Sequence, residues 1–448
     1  MRWTAHVTWA LVAIVFFHLA HSIGTGWLLL PCACALIEMS RASTRRLVFC
    51  PMLGVGFLFY APQLGFFWGI FGPPAVALWL VLAFWIGLFG LLLRQVRLRF
   101  GNGWMLALAP FLWTGLEYFR SELYYLRFGW LTFGMAGFGP GLAALGVFGG
   151  GFAIMAAAAA LHALRNWKPG FAVALLVLGL VATGALWFPT AANDGIGDGL
   201  AVAGVQLEFP DEEQVLAGLD RAREKFPEAQ LFLLSEYTFQ TPPPPSVLAW
   251  CASHRVHLVV GGKEPLGSTN FHNMAYVIGT NGAVVHQQAK SVPIQFFQDG
   301  RPASERKVWD SPWGKLGVLT CYDLSYTRIV DDFVRQGAIA LLNPTMDVVE
   351  WGEHEHRLHA RVAPRRAAEY GIPIFRVASS GISQLVTARG RVVASAPFPG
   401  AGEIIGGQLP LNAQPRLPLD RWLAPACVGI TALALVLSLL PARKRSLA

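Results

Sequence analysis

Apolar residues come in long blocks over the first 190 positions and again near the C-terminus. The runs fall at 6–22, 24–38, 47–70, 73–93, 104–118, 140–163, 170–188 and 423–440. A stretch of roughly 18 or more apolar residues is long enough to cross a bilayer as a helix. The pattern therefore predicts about eight transmembrane helices, of which 24–38 and 104–118 are short. Ala20-His21-Ser22 after the first run suits a signal-peptide cleavage site. A second apolar run follows at once, however, which favours a retained helix. Between 189 and 422 the pattern changes: short apolar runs alternate with "PDEEQ", "DRAREK", "ASERK" and "RVAPRRAAEY". That length suits one α/β domain. The expected layout is a seven-helix region over 1–190, a folded domain over 191–419, and a last helix with a basic tail over 420–448.

Composition agrees with the pattern. The chain is 54% hydrophobic and 14% charged, against about 25% charged for ordinary soluble domains. The net charge of +8 sits in alternate loops. Arg2, the group Arg41, Arg45 and Arg46, the group Arg94, Arg97 and Arg99, the pair Arg165 and Lys168, and the tail Arg443, Lys444 and Arg445 all flank apolar runs. The loops near residue 21 and at 72–74 carry no arginine or lysine, and the loop at 119–139 has Arg120 and Arg127, offset in part by Glu122. Basic loops stay cytoplasmic. With eight spans, both termini are then cytoplasmic, and the 191–419 domain lies on the outer face of the membrane. The same scatter argues against a nucleic-acid surface, which needs a basic patch or stripe.

Of six cysteines, Cys32, Cys34, Cys50 and Cys427 lie in or beside apolar runs, where they suit small buried hydrophobes. Cys251 and Cys321 belong to the folded domain, and in an oxidising compartment the two can pair. Cys321 ends the strand-like run "GVLT", Glu236 ends "AQLFLLS", and Lys290 ends "AVVHQQA". A carboxylate, a lysine and a cysteine at three strand ends can converge above one sheet edge. The carboxylate would take the thiol proton, the sulfur would attack a carbonyl, and the ammonium would stabilise the oxyanion. Each also has an ordinary reading: a helix-start carboxylate, a solvated surface charge and a core thiol.

The order Glu, Lys, Cys and its surroundings resemble the nitrilase superfamily. "LLSEYTF", "AKSVP" and "GVLTCYDLSY" look like its three motifs. "FHNMAYVIGTNGAVV", "LLNPTMD" and residues 359–393 resemble its flanking strands and helix. With helices on both sides, the chain resembles the bacterial apolipoprotein N-acyltransferases, and "EYFRSELYYLRFGWLTFGMAGF" is similar to an outer loop of that family. The resemblance implies an αββα sandwich and catalytic Glu236, Lys290 and Cys321. It also implies substrate or oxyanion support from Tyr322, Asn343 and Asp323, a phospholipid acyl donor, a diacylated lipoprotein acceptor, and no cofactor. Where the family places a second carboxylate soon after its lysine, this chain has Gln295 and Gln298, with Asp299 beyond. Asp323 replaces a glutamate, Pro364 an arginine, and Ser379-Ser380 an Asn-Asn pair.

"EHEHRLH", 353–359, is not His-Glu-x-x-His, because Leu358 stands where the second histidine is needed. It suits a polar helix start, and no metal is expected. "GTNGAVV" suits a hairpin turn, and "GVFGGGFA" suits close helix packing. Two alternatives to an acyltransferase are a catalytically silent, membrane-held homologue that binds a partner, and an anchored amidase.

Overall fold

The computed structural model describes residues 3–165 and 199–440. The chain divides into two compact units, one of residues 1–190 and 418–448, the other of residues 191–417.

The first unit is helical. Helices Trp3–Ile23, Pro74–Phe100, Val147–Leu164 and Asp420–Leu439 are long and apolar enough to cross a membrane. That is four among the described residues, where the sequence pattern suggested about eight. The run at 24–38 forms a 3-10 turn and an 11-residue helix, Leu29–Met39. The run at 47–70 breaks after Gln63 into Arg45–Gln63 and Phe66–Phe71, and its longer piece carries Arg45 and Arg46 at the start and Pro62 near the end. The run at 104–118 gives the 17-residue helix Asn102–Tyr118. The run at 170–188 lies outside the described residues. Hydropathy alone did not register these breaks.

Small residues let the helices approach. A Cβ on Gly56 would meet the Ala83 backbone at 2.8 Å, and one on Gly150 would meet the Phe138 ring. The glycine run at 149–151 is thus a packing surface, as its sequence suggested. At the start of Val147–Leu164, the Asp420 carboxylate accepts the Phe148 and Gly149 N–H groups at 2.8 and 3.2 Å. Those donors have no partner within the helix, and a carboxylate there also complements the helix dipole.

The second unit holds two six-stranded sheets. In the first, the strands are β1 (Gly199–Val205), β2 (Leu231–Leu233), β3 (His257–Leu266), β4 (Asn270–Ile278) and β5 (Val284–Ala289), joined by β12 (Ile404–Pro410). Their order is β12-β1-β2-β3-β4-β5. The second sheet has β6 (Trp309–Ser311), β7 (Gly314–Val318), β8 (Ala340–Thr345), β9 (Ile374–Ala378), β10 (Ser383–Val386) and β11 (Val392–Ala396). It runs β11-β10-β9-β8-β7-β6. Both sheets mix parallel and antiparallel neighbours.

Side-chain alternation builds the layers. Leu231 and Leu233 point between the sheets, where they join Val318, Leu342, Phe375 and Val377. Phe232 and Leu234 point outward onto Val215, Leu219, Val247 and Trp250 of helices Glu212–Lys225 and Pro245–His254. Period-two alternation with both faces apolar is what a sheet covered on both sides requires. The β4–β5 hairpin turns at Asn281-Gly282, with Gly282 at φ 77°, a left-handed conformation that favours glycine.

Candidate active site

Glu236 follows β2, Lys290 follows β5 and Cys321 follows β7, so each sits beyond the C-terminal end of a strand. All three side chains are about 1% exposed. Lys290 Nζ donates to Glu236 Oε1 at 2.8 Å and lies 2.7 Å from Asp299 Oδ2. Glu236 Oε2 accepts the Met346 N–H at 2.9 Å, while the Cys321 thiol faces the Met346 carbonyl at 3.6 Å. The backbone of one residue, Met346, thus connects the carboxylate and the sulfur. Cys321 adopts φ 51°, a conformation uncommon for a residue with a side chain. The short helix Cys321–Ser325 starts there, with Thr320 and Asp323 forming a reciprocal cap. Cys251 is buried in the outer core under helix Pro245–His254, and neither it nor Cys321 is in a disulfide.

Charge in this pocket is settled by burial and by Lys290. Burial pushes the Glu236 carboxyl up, the nearby ammonium pulls it down, and the net direction is upward. Burial opposes the Lys290 charge, but Asp299 and Glu236 together raise its pKa well above the usual lysine range. Burial also acts to raise Asp299, yet Lys290 and the Tyr237 hydroxyl hold it low. The Cys321 thiol is pushed well up by burial and then by Glu236. At rest the sulfur is therefore a thiol, and a carboxylate with a raised pKa is suited to remove its proton during attack.

Asp299, at the far end of a stretch with two glutamines, supplies the second carboxylate. Its Oδ1 accepts from Tyr237 OH at 2.7 Å and from Asn273 Nδ2 at 2.9 Å, and its Oδ2 accepts the Ile294 N–H. Asn273 also donates to Glu236. Asn273 and Tyr237 carried no sequence signal beyond their places in "FHNMAYV" and "SEYTF".

The three supporting residues singled out in the sequence are placed as follows. Both Asp323 oxygens take backbone N–H groups, from Ser291 at 2.9 to 3.0 Å and Val292 at 2.7 Å. Burial raises the Asp323 pKa to about 6. Asn343 donates to the Leu319 carbonyl at 2.8 Å, holding the end of β7 beside β8. Tyr322 packs edge-on against Tyr326, 5.0 Å between ring centres. Asp323 and Asn343 thus brace the backbone around the cysteine.

Gly261 on β3 lies directly against the carboxylate turn: a Cβ there would fall 2.6 Å from Glu236 Cα. Gly261→Ala should displace Glu236 and slow any attack by Cys321 that draws on this carboxylate as base by about 10- to 100-fold. The unfolding midpoint followed in parallel separates this from a general loss of fold. An unchanged rate would show that the turn has room to move.

Next to the thiol lies a second buried polar set, on helix Glu353–Ala360 and after β8. Glu355, His356 and His359 are 2%, 0% and 3% exposed, so "EHEHRLH" opens a helix but turns these groups inward. The polar helix start that the sequence suggested is present, with Glu355, His356 and His359 buried. His359 Nδ1 bonds Asp347 Oδ1 at 2.6 Å, and Arg376 Nη2 donates to Asp347 Oδ2. Asp347 Nα–H donates in turn to Ser379 Oγ at 3.0 Å. Donor atoms of Cys321, Asp347 and His359 lie within 4.8 Å of one another, as do those of Asp347, Glu355 and His356. The donor types suit a divalent cation, but the Arg376 guanidinium already places a positive charge on the shared carboxylate.

Residues 226–412 match the carbon-nitrogen hydrolase family. The chain is 33% identical over 153 residues to an apolipoprotein N-acyltransferase of Rhizobium rhizogenes, covering 33% of this chain and 25% of that protein. It is 35% identical over 135 residues to one of Sinorhizobium medicae, covering 29% and 25%. A glutamine-dependent NAD(+) synthetase of Xylella fastidiosa is 26% identical over 271 residues, covering 52% of this chain and 48% of that one. The matches to the two acyltransferases span about a quarter of their length. Among solved structures, Saccharomyces cerevisiae Nit3, a member of branch 10 of the nitrilase superfamily, aligns at 20% identity. That alignment covers 52% of this chain and 96% of that one, with a TM-score of 0.41.

Proposed function

We propose that this chain, whose residues 226–412 match the carbon-nitrogen hydrolase family, is a phospholipid-dependent N-acyltransferase acting through Cys321. The carrying observation is the buried convergence of Glu236, Lys290 and Cys321 in a chain that also has helices apolar enough to cross a membrane. In the first half-reaction Glu236 takes the thiol proton while sulfur attacks the ester carbonyl of a phospholipid. Lys290 stabilises the oxyanion, and the proton passes to the departing alkoxide. The products are a thioester on Cys321 and a lysophospholipid. In the second, an amine attacks the thioester, an amide forms, and the thiol is restored. A thioester is more reactive toward amines than the original ester, so the covalent step makes amide formation accessible.

The acceptor in this proposal is the N-terminal amine of a diacylglyceryl-cysteine lipoprotein. The partial identity to apolipoprotein N-acyltransferases supports that choice. Mass spectrometry of lipoprotein N-termini from cells with and without this gene tests it. The N-acyl group should vanish without the gene, and its persistence would reject the acceptor.

In the same proposal the catalytic unit faces the periplasm. The support is the alternation of arginine-rich and arginine-poor loops. Reporters fused after Asp198 and at the C-terminus should report opposite sides of the membrane. If both report the cytoplasm, the topology is wrong and a periplasmic lipoprotein substrate goes with it.

A further inference from the structure

We propose that the His359–Asp347 pair is the general base for the acceptor amine in the second half-reaction. The inference rests on the acyltransferase reading and starts from a proton count. An amine of ordinary basicity arrives mostly as an ammonium at pH 7, since its pKa is about 8. Its reaction with the thioester then gives an amide, a thiol and one proton more than the sulfur can take. Glu236 can carry one proton from nitrogen to sulfur, returning to its starting state. The surplus proton needs a second acceptor near the same atoms.

His359 is placed and tuned for that. A ring nitrogen of His359 and a carboxylate oxygen of Asp347 lie within 4.8 Å of Cys321 Sγ. An amine attacking a thioester on that sulfur reacts within reach of this imidazole. The 2.6 Å bond between His359 Nδ1 and Asp347 Oδ1 fixes the orientation of the ring. Asp347 is fully buried, and burial alone would raise it. His359 and Arg376 nevertheless hold it well below the usual carboxylate range, so it stays ionised. Burial lowers the His359 pKa, keeping the ring neutral and ready to accept. Glu355, 3.9 Å from His359 Nδ1, is pushed well up by burial and by Asp347 and so stays protonated. The groups facing the ring are then Asp347, Glu355, His356, Arg376 and Cys321. Asp347 Oδ1 is bonded to the ring and Arg376 sits on the other oxygen, so the nearest charge to a proton gained by His359 is the carboxylate. It leaves to solvent when the product departs.

The alternative occupant of these donors is a divalent cation. Arg376 on Asp347 opposes it, and the experiment distinguishes the two.

The test uses the full-length enzyme in phosphatidylethanolamine vesicles carrying a radiolabelled acyl chain. The acyl-enzyme is formed first, then mixed with ethanolamine or with hydroxylamine, an amine that is already neutral at pH 7. In the wild type, the ethanolamine rate should stay nearly level as pH falls below the amine pKa. In His359→Gln it should drop by about 100-fold at pH 7 and recover as pH rises toward the pKa of ethanolamine itself, while the hydroxylamine rate changes little. Formation of the thioester in the variant reports that the site is folded. Equal slowing toward both amines, with an unshifted pH profile, would overturn the proposal and leave His359 a packing residue. If the variant forms no thioester, the wild-type profile decides: a rate that tracks the neutral amine fraction overturns the proposal. Loss of transfer on chelation, restored by zinc, overturns it in favour of a metal centre. A wild-type enzyme that never forms a thioester rejects the acyltransferase reading itself, a separate result.

Discussion

Cys321→Ala should abolish the covalent acyl-enzyme and all transfer, while Cys251→Ala leaves both within a few-fold of wild type. The sulfur is the only atom proposed to bond the acyl group, and its removal ends the two-step route. Cys251 sits in the outer core among Val247, Trp250 and Val256, where its loss removes only a small buried group. The acyl-enzyme should resist acid and be released by neutral hydroxylamine, which distinguishes a thioester from an amide or oxygen ester. Because burial and Glu236 keep the resting sulfur protonated, alkylation of Cys321 at neutral pH should be slow and should quicken at high pH. Retention of label in Cys321→Ala would place the acyl group elsewhere and end the proposal.

Lys290→Met should be the most damaging substitution for stability and activity together. Its ammonium is 1% exposed and lies 2.8 Å from Glu236 and 2.7 Å from Asp299. Without it, two buried carboxylates face each other with no counter-charge. Breaking a buried ion pair from one side costs roughly 3–5 kcal/mol, a fall of about 10 °C in the unfolding midpoint of a unit this size. The lost oxyanion partner adds about 100-fold or more in rate. Lys290→Met combined with Asp299→Asn should regain much of the stability and little of the activity. Recovery of activity in that double variant would remove Lys290 from the chemistry and leave it a structural charge.

The sandwich was legible only through the family resemblance: "QLFLL" is an unbroken apolar run, and the fold is what assigns Leu231 and Leu233 to one face and Phe232 and Leu234 to the other. The strand ends carrying Glu236, Lys290 and Cys321 were legible directly, since each strand-like run stops there. Helix breaks were not. Leu64-Gly65 interrupts a hydrophobic stretch without changing its hydropathy, and among the described residues the runs at 24–38, 47–70 and 104–118 give no helix with the length and apolarity of a span. Asp299 was visible only as a carboxylate some residues late, because the intervening loop, with Phe296 at φ 71°, sets how far the chain doubles back. His359 was the harder case. Its stretch read only as a polar helix start, and Asp347, twelve residues earlier and after a different element, is the partner it meets. Pairings of that kind depend on tertiary approach, which local composition does not encode.

The division of the candidate site between the sheets has its own consequence. Glu236 and Lys290 hang from the first sheet and Cys321 from the second, so the gap between base and nucleophile is a measure of sheet alignment. Asp323 spans that seam, holding the backbone of Ser291 and Val292 from the turn that presents the cysteine. A slight shear of one sheet over the other would part the reacting groups while every strand stayed paired. Substitutions in the intersheet layer, at Leu233 or Val318 for example, then act as tuning screws on chemistry they never touch.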